Sequence, residues 1–287
     1  MLTRFEAPRT LEQAVQLLQT DPAAKVIAGG TDLLVQFRSG LAQPSAFIDV
    51  KRIPELVGIA IDGEGLELGA ATSAAEICEH REMKRLWPGL VEAIHLVGST
   101  QIQGRCTVGG NLCNASPAAD SVCALIVNRA TCVIAGPQGR RTVPVEQFCT
   151  GPGRTTLGRG ELLVGFRIPR PPARTADAYL RLIPRTEMDI AVVGAAVTAT
   201  LDEKGVCQAA RVAIGAVAPT ARLVPEAAQA LVGTPMDEAA LQRAGRAAGD
   251  AAKPIDDKRG TIAYRHQVTA VLTRRAAATA ADRARNS

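Results

Sequence analysis

Two double-glycine segments, Ala28-Gly29-Gly30-Thr31-Asp32 and Thr107-Val108-Gly109-Gly110-Asn111, constrain the fold of this chain more than any other feature. Adjacent glycines let the backbone approach a ligand with no side chain in between, and they leave N–H groups free to grip phosphate oxygens. One such turn is common. Two of matching design point to a single long ligand held at both ends.

The first segment follows a short buried strand, Lys25-Val26-Ile27-Ala28. It precedes a helix through Leu33, Leu34 and Phe37 to Gly40, which Thr31 or Asp32 can cap. Strand, glycine turn and helix N-terminus together make an anion-binding arrangement. Neither segment reads GxGxxG and the chain has no GxxxxGK[ST], so both standard nucleotide fingerprints are missing and a nucleotide would bind in another fold. The second segment is expected to be a turn between two helices and continues to Asp120 in small and amide residues. The later helix takes Ser116 as N-cap and Pro117 at its first position.

Elsewhere the pattern predicts α+β architecture. Thr10-Leu11-Glu12-Gln13 and Ser73-Ala74-Ala75-Glu76 read as capping boxes, and Leu11, Ala14, Val15 and Leu18 recur at helical spacing. Ala46–Val50 is a further strand, and Trp87–Val97 a further helix. Hairpins are expected around Asp62-Gly63-Glu64-Gly65 and Gly136-Pro137-Gln138-Gly139, with Leu162–Ile168 closing the region. Pro169-Arg170-Pro171-Pro172-Ala173-Arg174 reads as a stiff linker. The expected domains are 1–174, with subdomains of about 1–55 and 56–174, and 175–287. The second contains β-like runs at Ile190–Leu201 and Cys207–Val217, with alanine-rich helices after Ala221.

The net charge of +5 on 287 residues is dispersed as single arginines, which disfavours nucleic acid as a partner. The seven cysteines form no CxxC pair, so buried free thiols in a reducing compartment are expected and no metal site is read. With no signal-like start and no long apolar run, the expected location is cytoplasmic, without a membrane span. His95 reads as a packed core histidine. Arg181, Arg185, Glu187 and Asp189 read as a charged cluster that is either a solvated strand entry or the lining of a cleft. At Asp120 the helix dipole explains a carboxylate by position alone, with acceptance from ligand hydroxyls as the alternative. No side chain is marked as a catalytic acid, base or nucleophile.

These segments, with Ser116-Pro117-Ala118-Ala119-Asp120, Arg185-Thr186-Glu187-Met188-Asp189-Ile190-Ala191 and Val271-Leu272-Thr273-Arg274-Arg275, resemble one family over nearly the whole chain. It is the FAD-binding medium subunit of the molybdenum hydroxylases, the group that contains xanthine dehydrogenase and aerobic carbon monoxide dehydrogenase. The resemblance implies a two-part FAD domain of the vanillyl-alcohol-oxidase-like type, followed by a small C-terminal α+β domain with an antiparallel sheet. By position it implies FAD contacts from Val26, Ile27, Ala28, Gly29, Gly30, Thr31, Asp32 and Leu33, and from Thr107, Gly109, Gly110 and Asn111. Asp120 would make a polar contact to the cofactor, and Leu163 would pack near the flavin. Arg181 stands where relatives carry a lysine, keeping the charge but replacing a point ammonium with a planar fork.

FAD is the sole cofactor implied for this chain, with [2Fe-2S] clusters and molybdopterin on partner subunits. The implied assembly is a dimer of heterotrimers that passes electrons to an external acceptor. Two alternatives stand beside it: a stand-alone FAD-dependent oxidoreductase and a non-catalytic nucleotide-binding assembly module.

Overall fold

A parallel sheet opens the chain, built by the segments that flank the first glycine pair. The structure, a computed structural model, describes residues 3–287. Strands β1 (Arg4–Glu6), β2 (Lys25–Ile27) and β3 (Ala46–Asp49) lie in the order β1-β3-β2. Helix α1 (Leu11–Thr20) starts as expected, with Thr10 Oγ1 accepting the Gln13 N–H at 3.3 Å, and it buries Leu11, Ala14 and Leu18. Helix α2 (Leu33–Arg38) follows the glycine turn and buries no residue fully.

Strands β4 (Ile59–Ile61) and β5 (Gly65–Gly69) form the expected hairpin, whose turn is pinned by Asp62 Oδ1 accepting from Glu64 N at 2.8 Å and Gly65 N at 3.1 Å. A helical excursion follows: α3 (Ala74–Glu79), α4 (Arg81–Leu86), α5 (Pro88–His95), α6 (Thr100–Gln103), α7 (Val108–Cys113) and α8 (Asp120–Val127). Strands β6 (Thr131–Gly136) and β7 (Gly139–Pro144), the short helix α9 (Val145–Phe148), the ribbon β8 (Cys149–Gly151) and β9 (Arg154–Thr155), and β10 (Leu162–Pro169) complete this part. The antiparallel order is β4-β5-β10-β6-β7. Against one face of this sheet, the helices bury a core that includes Trp87, Phe148 and Phe166.

Three sequence expectations are corrected here. Gly109-Gly110 is not a turn between helices but lies within α7, capped by Thr107. Ser116 is not an N-cap: Ser116 Oγ and the Ser116 carbonyl accept from Ala118 N and Ala119 N, making a turn, and α8 begins only at Asp120. His95 is exposed, because it ends α5 on a face turned away from the buried Leu90, Val91, Ala93 and Ile94.

The remaining strands, β11 (Thr175–Leu182), β12 (Val193–Leu201), β13 (Cys207–Gly215) and β14 (Arg222–Leu223), form an antiparallel sheet in chain order. Arg222–Leu223 is thus an edge strand where helix was expected, paired with Ala213 and Ile214. Helices α10 (Pro225–Gln229), α11 (Glu238–Ala251) and α12 (Ile262–Arg285) follow. Alanine is what lets α12 lie close on the sheet, since Ala276, Ala277, Ala280, Ala281 and Ala284 are all buried. A Cβ on Gly245 would sit 2.6 Å from Ala270 O, so the α11–α12 crossing needs glycine there.

Strand alternation sends Ala178, Ala195 and Val197 into the core shared with these helices. Tyr179, Ala196 and Ala213 face the other way, into the core built around α5 and α8. The C-terminal sheet is therefore packed on both faces.

Candidate cofactor site

Both glycine segments line one cavity of about 870 Å³, near the upper end of the roughly 300–1,000 Å³ typical of ligand sites. A Cβ on Gly29 would come within 1.8 Å of Arg105 O, so the first turn is pressed against the chain that leads into the second element. Gly30 has φ +75°, a conformation that glycine adopts without strain.

In the first element, no group among the described residues accepts from the backbone N–H of Gly29, Gly30, Thr31 or Asp32. Four consecutive N–H groups with no protein partner, on half-buried and exposed residues that line a cavity, can receive an anionic ligand. Behind the turn, Lys51 Nζ donates to Ala28 O at 2.8 Å and pairs with Asp49 Oδ1 at 2.6 Å, anchoring the carbonyl that precedes the glycines. Asp32 occupies the N-cap position of α2 but makes no side-chain cap bond, and burial raises its pKa.

The second element is built differently, which corrects the expectation that its N–H groups grip phosphate. Gly109 N donates to Ala70 O at 3.2 Å, Gly110 N to Thr107 Oγ1 at 2.9 Å and Asn111 N to Thr107 O at 2.9 Å. Its backbone donors are spent on its own fold. Gly109 is needed for packing, because a Cβ there would approach Ala70 O to 2.4 Å.

The cavity wall also includes Val26, Ile27, Ala28, Leu33 and Leu163. Gln36 Nε2 donates to Asn114 Oδ1 at 3.0 Å, tying α2 to the end of α7, and both residues line the cavity. Cys113 lines it as well and is exposed, against the expectation of buried thiols throughout. A helix as short as α7 cannot bury all its sides, and Cys113 falls on the open one. Among the described residues all seven cysteines are unpaired.

Asp120 and Arg181 stand outside this lining and meet each other. Arg181 Nη1 donates to Asp120 Oδ2 at 2.7 Å, and Tyr179 Oη donates to Asp120 Oδ1 at 2.8 Å. Burial lifts the Asp120 carboxyl to about 6 against the opposing pull of Arg181 and Tyr179. Two positions earlier on β11, Asp177 accepts from Gly89 N, Leu90 N and Asn128 Nδ2. The expected charged cluster is therefore split. Arg181 is buried by these contacts, whereas Arg185 is exposed, with Asp189 lying between it and Arg259.

Comparison with known proteins gives this geometry a context. Residues 2–171 match the model for the FAD binding domain in molybdopterin dehydrogenase, and residues 178–280 match the CO dehydrogenase flavoprotein C-terminal domain. The chain belongs to the molybdopterin dehydrogenase FAD-binding family. It is similar to the carbon monoxide dehydrogenase medium chain of Hydrogenophaga pseudoflava, at 35% identity over 95% of this chain and 96% of that one. It is also similar to the xanthine dehydrogenase FAD-binding subunit of Escherichia coli O157:H7, at 31% identity over 94% and 93%. Among solved structures, reconstituted CO dehydrogenase from Oligotropha carboxidovorans superposes with a TM-score of 0.94 at 32% identity, covering 99% of both chains.

As a medium, FAD-binding subunit of this family, the chain is an oxidoreductase component and FAD is its cofactor. The cavity fits that group in its size, its row of free donors and its apolar wall at Leu163 and Ala70. No helix among the described residues is long and apolar enough to cross a membrane.

The residues that sequence reasoning missed act from behind the wall or close it. They are Lys51, Gln36, Asn114, Ser121, Asp177 and Tyr179. Only the last two carried a signal, since Asp177, Tyr179 and Arg181 alternate on one face of a strand.

Proposed function

We propose that this chain is the FAD-carrying electron-transfer subunit of a heteromeric molybdenum hydroxylase. It would stand between a [2Fe-2S] small subunit and an external acceptor, with a molybdopterin large subunit oxidising the substrate, in a dimer of heterotrimers. The observation that carries the reading is the row of uncommitted N–H groups from Gly29 to Asp32 in a cavity shared with the second glycine element. Those donors would take the pyrophosphate, and the residues of 107–111 would shape the far wall.

Bound there, flavin supplies the conversion between one-electron and two-electron transfer, and the protein contributes placement and electrostatics. No side chain at the cavity is needed as an acid or base. Asp120 and Arg181 would act toward the cofactor from beyond the lining, as a buried ion pair that fixes local charge. Residues 1–174 would hold the cofactor, and residues 175–287 would buttress it through β11.

The test is purification of the chain with its partners, followed by flavin and metal analysis. Molybdenum, iron and FAD recovered together support the assignment. A colourless chain that takes up no FAD under native conditions overturns it, and oxidation of a small substrate by the isolated chain would favour the stand-alone alternative.

A further inference from the structure

We propose that Ser121 is a positioning residue for the cofactor cavity, its buried hydroxyl holding the Asn111 carboxamide so that the amide hydrogens face the ligand. The inference rests on the reading of this cavity as the FAD site.

The argument begins with a shortage of donors. In the second glycine element, the backbone N–H groups of Gly109, Gly110 and Asn111 all go to protein acceptors. What the element can still offer to a ligand rich in oxygen acceptors is the side chain of Asn111, which lines the cavity. A carboxamide is useful only if the correct end faces the ligand, because its oxygen accepts and its nitrogen donates.

Ser121 decides which end that is. Its side chain is fully buried in the first turn of α8, a helix buried at every position. A serine in a helix commonly bonds the carbonyl four residues back. Here that carbonyl, on Pro117, already accepts from Ala216 N at 2.8 Å. The Ser121 hydroxyl instead donates to Asn111 Oδ1 at 2.6 Å. With Oδ1 engaged, the two amide hydrogens of Asn111 are the free end, and no group among the described residues accepts them. The neighbouring Asp120 is locked to β11 by Arg181 and Tyr179, so the position of Ser121 is itself fixed by the C-terminal sheet.

Ser121→Ala deletes one oxygen from a site with no other use for it. Loss of a hydrogen bond that orients a ligand donor should weaken FAD binding about tenfold, measured by titrating the purified chain with FAD and following flavin fluorescence. Asn111→Ala should weaken it at least as much, and the double variant should bind no more weakly than Asn111→Ala alone, because Ser121 acts through Asn111. The melting temperature without FAD should match the wild type, while the rise produced by FAD should shrink.

Three results would overturn the assignment. They are wild-type affinity in Ser121→Ala, losses that multiply in the double variant, and a melting temperature that falls equally with and without FAD, which would make Ser121 merely structural. A wild-type chain that leaves FAD fluorescence unchanged would instead overturn the cavity reading, and this assignment with it.

Discussion

Arg181 Nη1 lies 2.7 Å from Asp120 Oδ2, joining the first strand of the C-terminal sheet to the first turn of α8. Both side chains are nearly inaccessible, at 5% and 10% exposure. Breaking a buried pair by neutralising one partner leaves an uncompensated charge, which costs about 3–5 kcal/mol. Arg181 Nε already lacks a partner, so little compensation is available. Asp120→Asn should therefore destabilise the chain by about that amount in urea unfolding, and adding Arg181→Met should recover most of the loss. A single-variant loss below about 1 kcal/mol would mean that the pair contributes no more than a surface one.

Asp177 gives the same junction a pH dependence. Burial pushes its carboxyl up to about 6, against three donors that favour the ionised form. Its folded pKa therefore lies above the unfolded value of roughly 3.9, and the folded state holds more protons between the two. The stabilisation linked to this group is fully present below about pH 4 and is lost as pH rises through 6. Asp177→Asn cannot titrate, so the melting temperature of the wild type relative to this variant should decline from pH 4 to pH 6. A constant difference across that window would show that Asp177 ionises normally.

The glycines of the first turn differ sharply from their neighbours. A Cβ at Gly29 would overlap Arg105 O, a backbone atom that cannot move aside, whereas a Cβ at Gly104 meets nothing within 4 Å. Gly29→Ala should cost about 1–3 kcal/mol or more through overpacking and should abolish FAD uptake by opening the turn. Gly104→Ala should be neutral, or should stabilise by up to about 1 kcal/mol through the unfolded chain. Unfolding curves with flavin titrations check both, and equal behaviour of the two variants would refute the packing of the turn on Arg105.

Much of the fold was legible because local signals agreed with the tertiary answer. Thr10 and Ser73 cap their helices, and both predicted hairpins form. The failures arise where a contact that the local pattern does not show decides the backbone. Gly109-Gly110 reads as a turn, yet Ala70 O and the Thr107 cap draw it into a helix. Ser116-Pro117 reads as a helix start, yet Pro117 O is claimed by Ala216. The glycine motifs located the cavity from sequence alone. The side chains that set their geometry, Lys51 and Ser121, lie outside both motifs and carry no pattern of their own.

Cys113 offers a probe that needs no substitution. It is the exposed residue among the seven cysteines, and it lines the cavity together with Asn114 and Gln36. Burial raises the pKa of Cys78, Cys106 and Cys149 to about 11 and that of Cys113 to about 12, so all four stay largely protonated near neutral pH, and access from the cavity rather than acidity separates them. A limited dose of a maleimide should therefore label Cys113 first in the FAD-free folded chain, as peptide mapping by mass spectrometry can determine. Saturating FAD should slow that labelling at least tenfold, while labelling of the other cysteines in urea is unaffected by FAD. Unslowed modification of Cys113 in a chain that demonstrably holds FAD would mean that the cofactor occupies a part of the cavity away from α7, and would separate the two glycine elements in function.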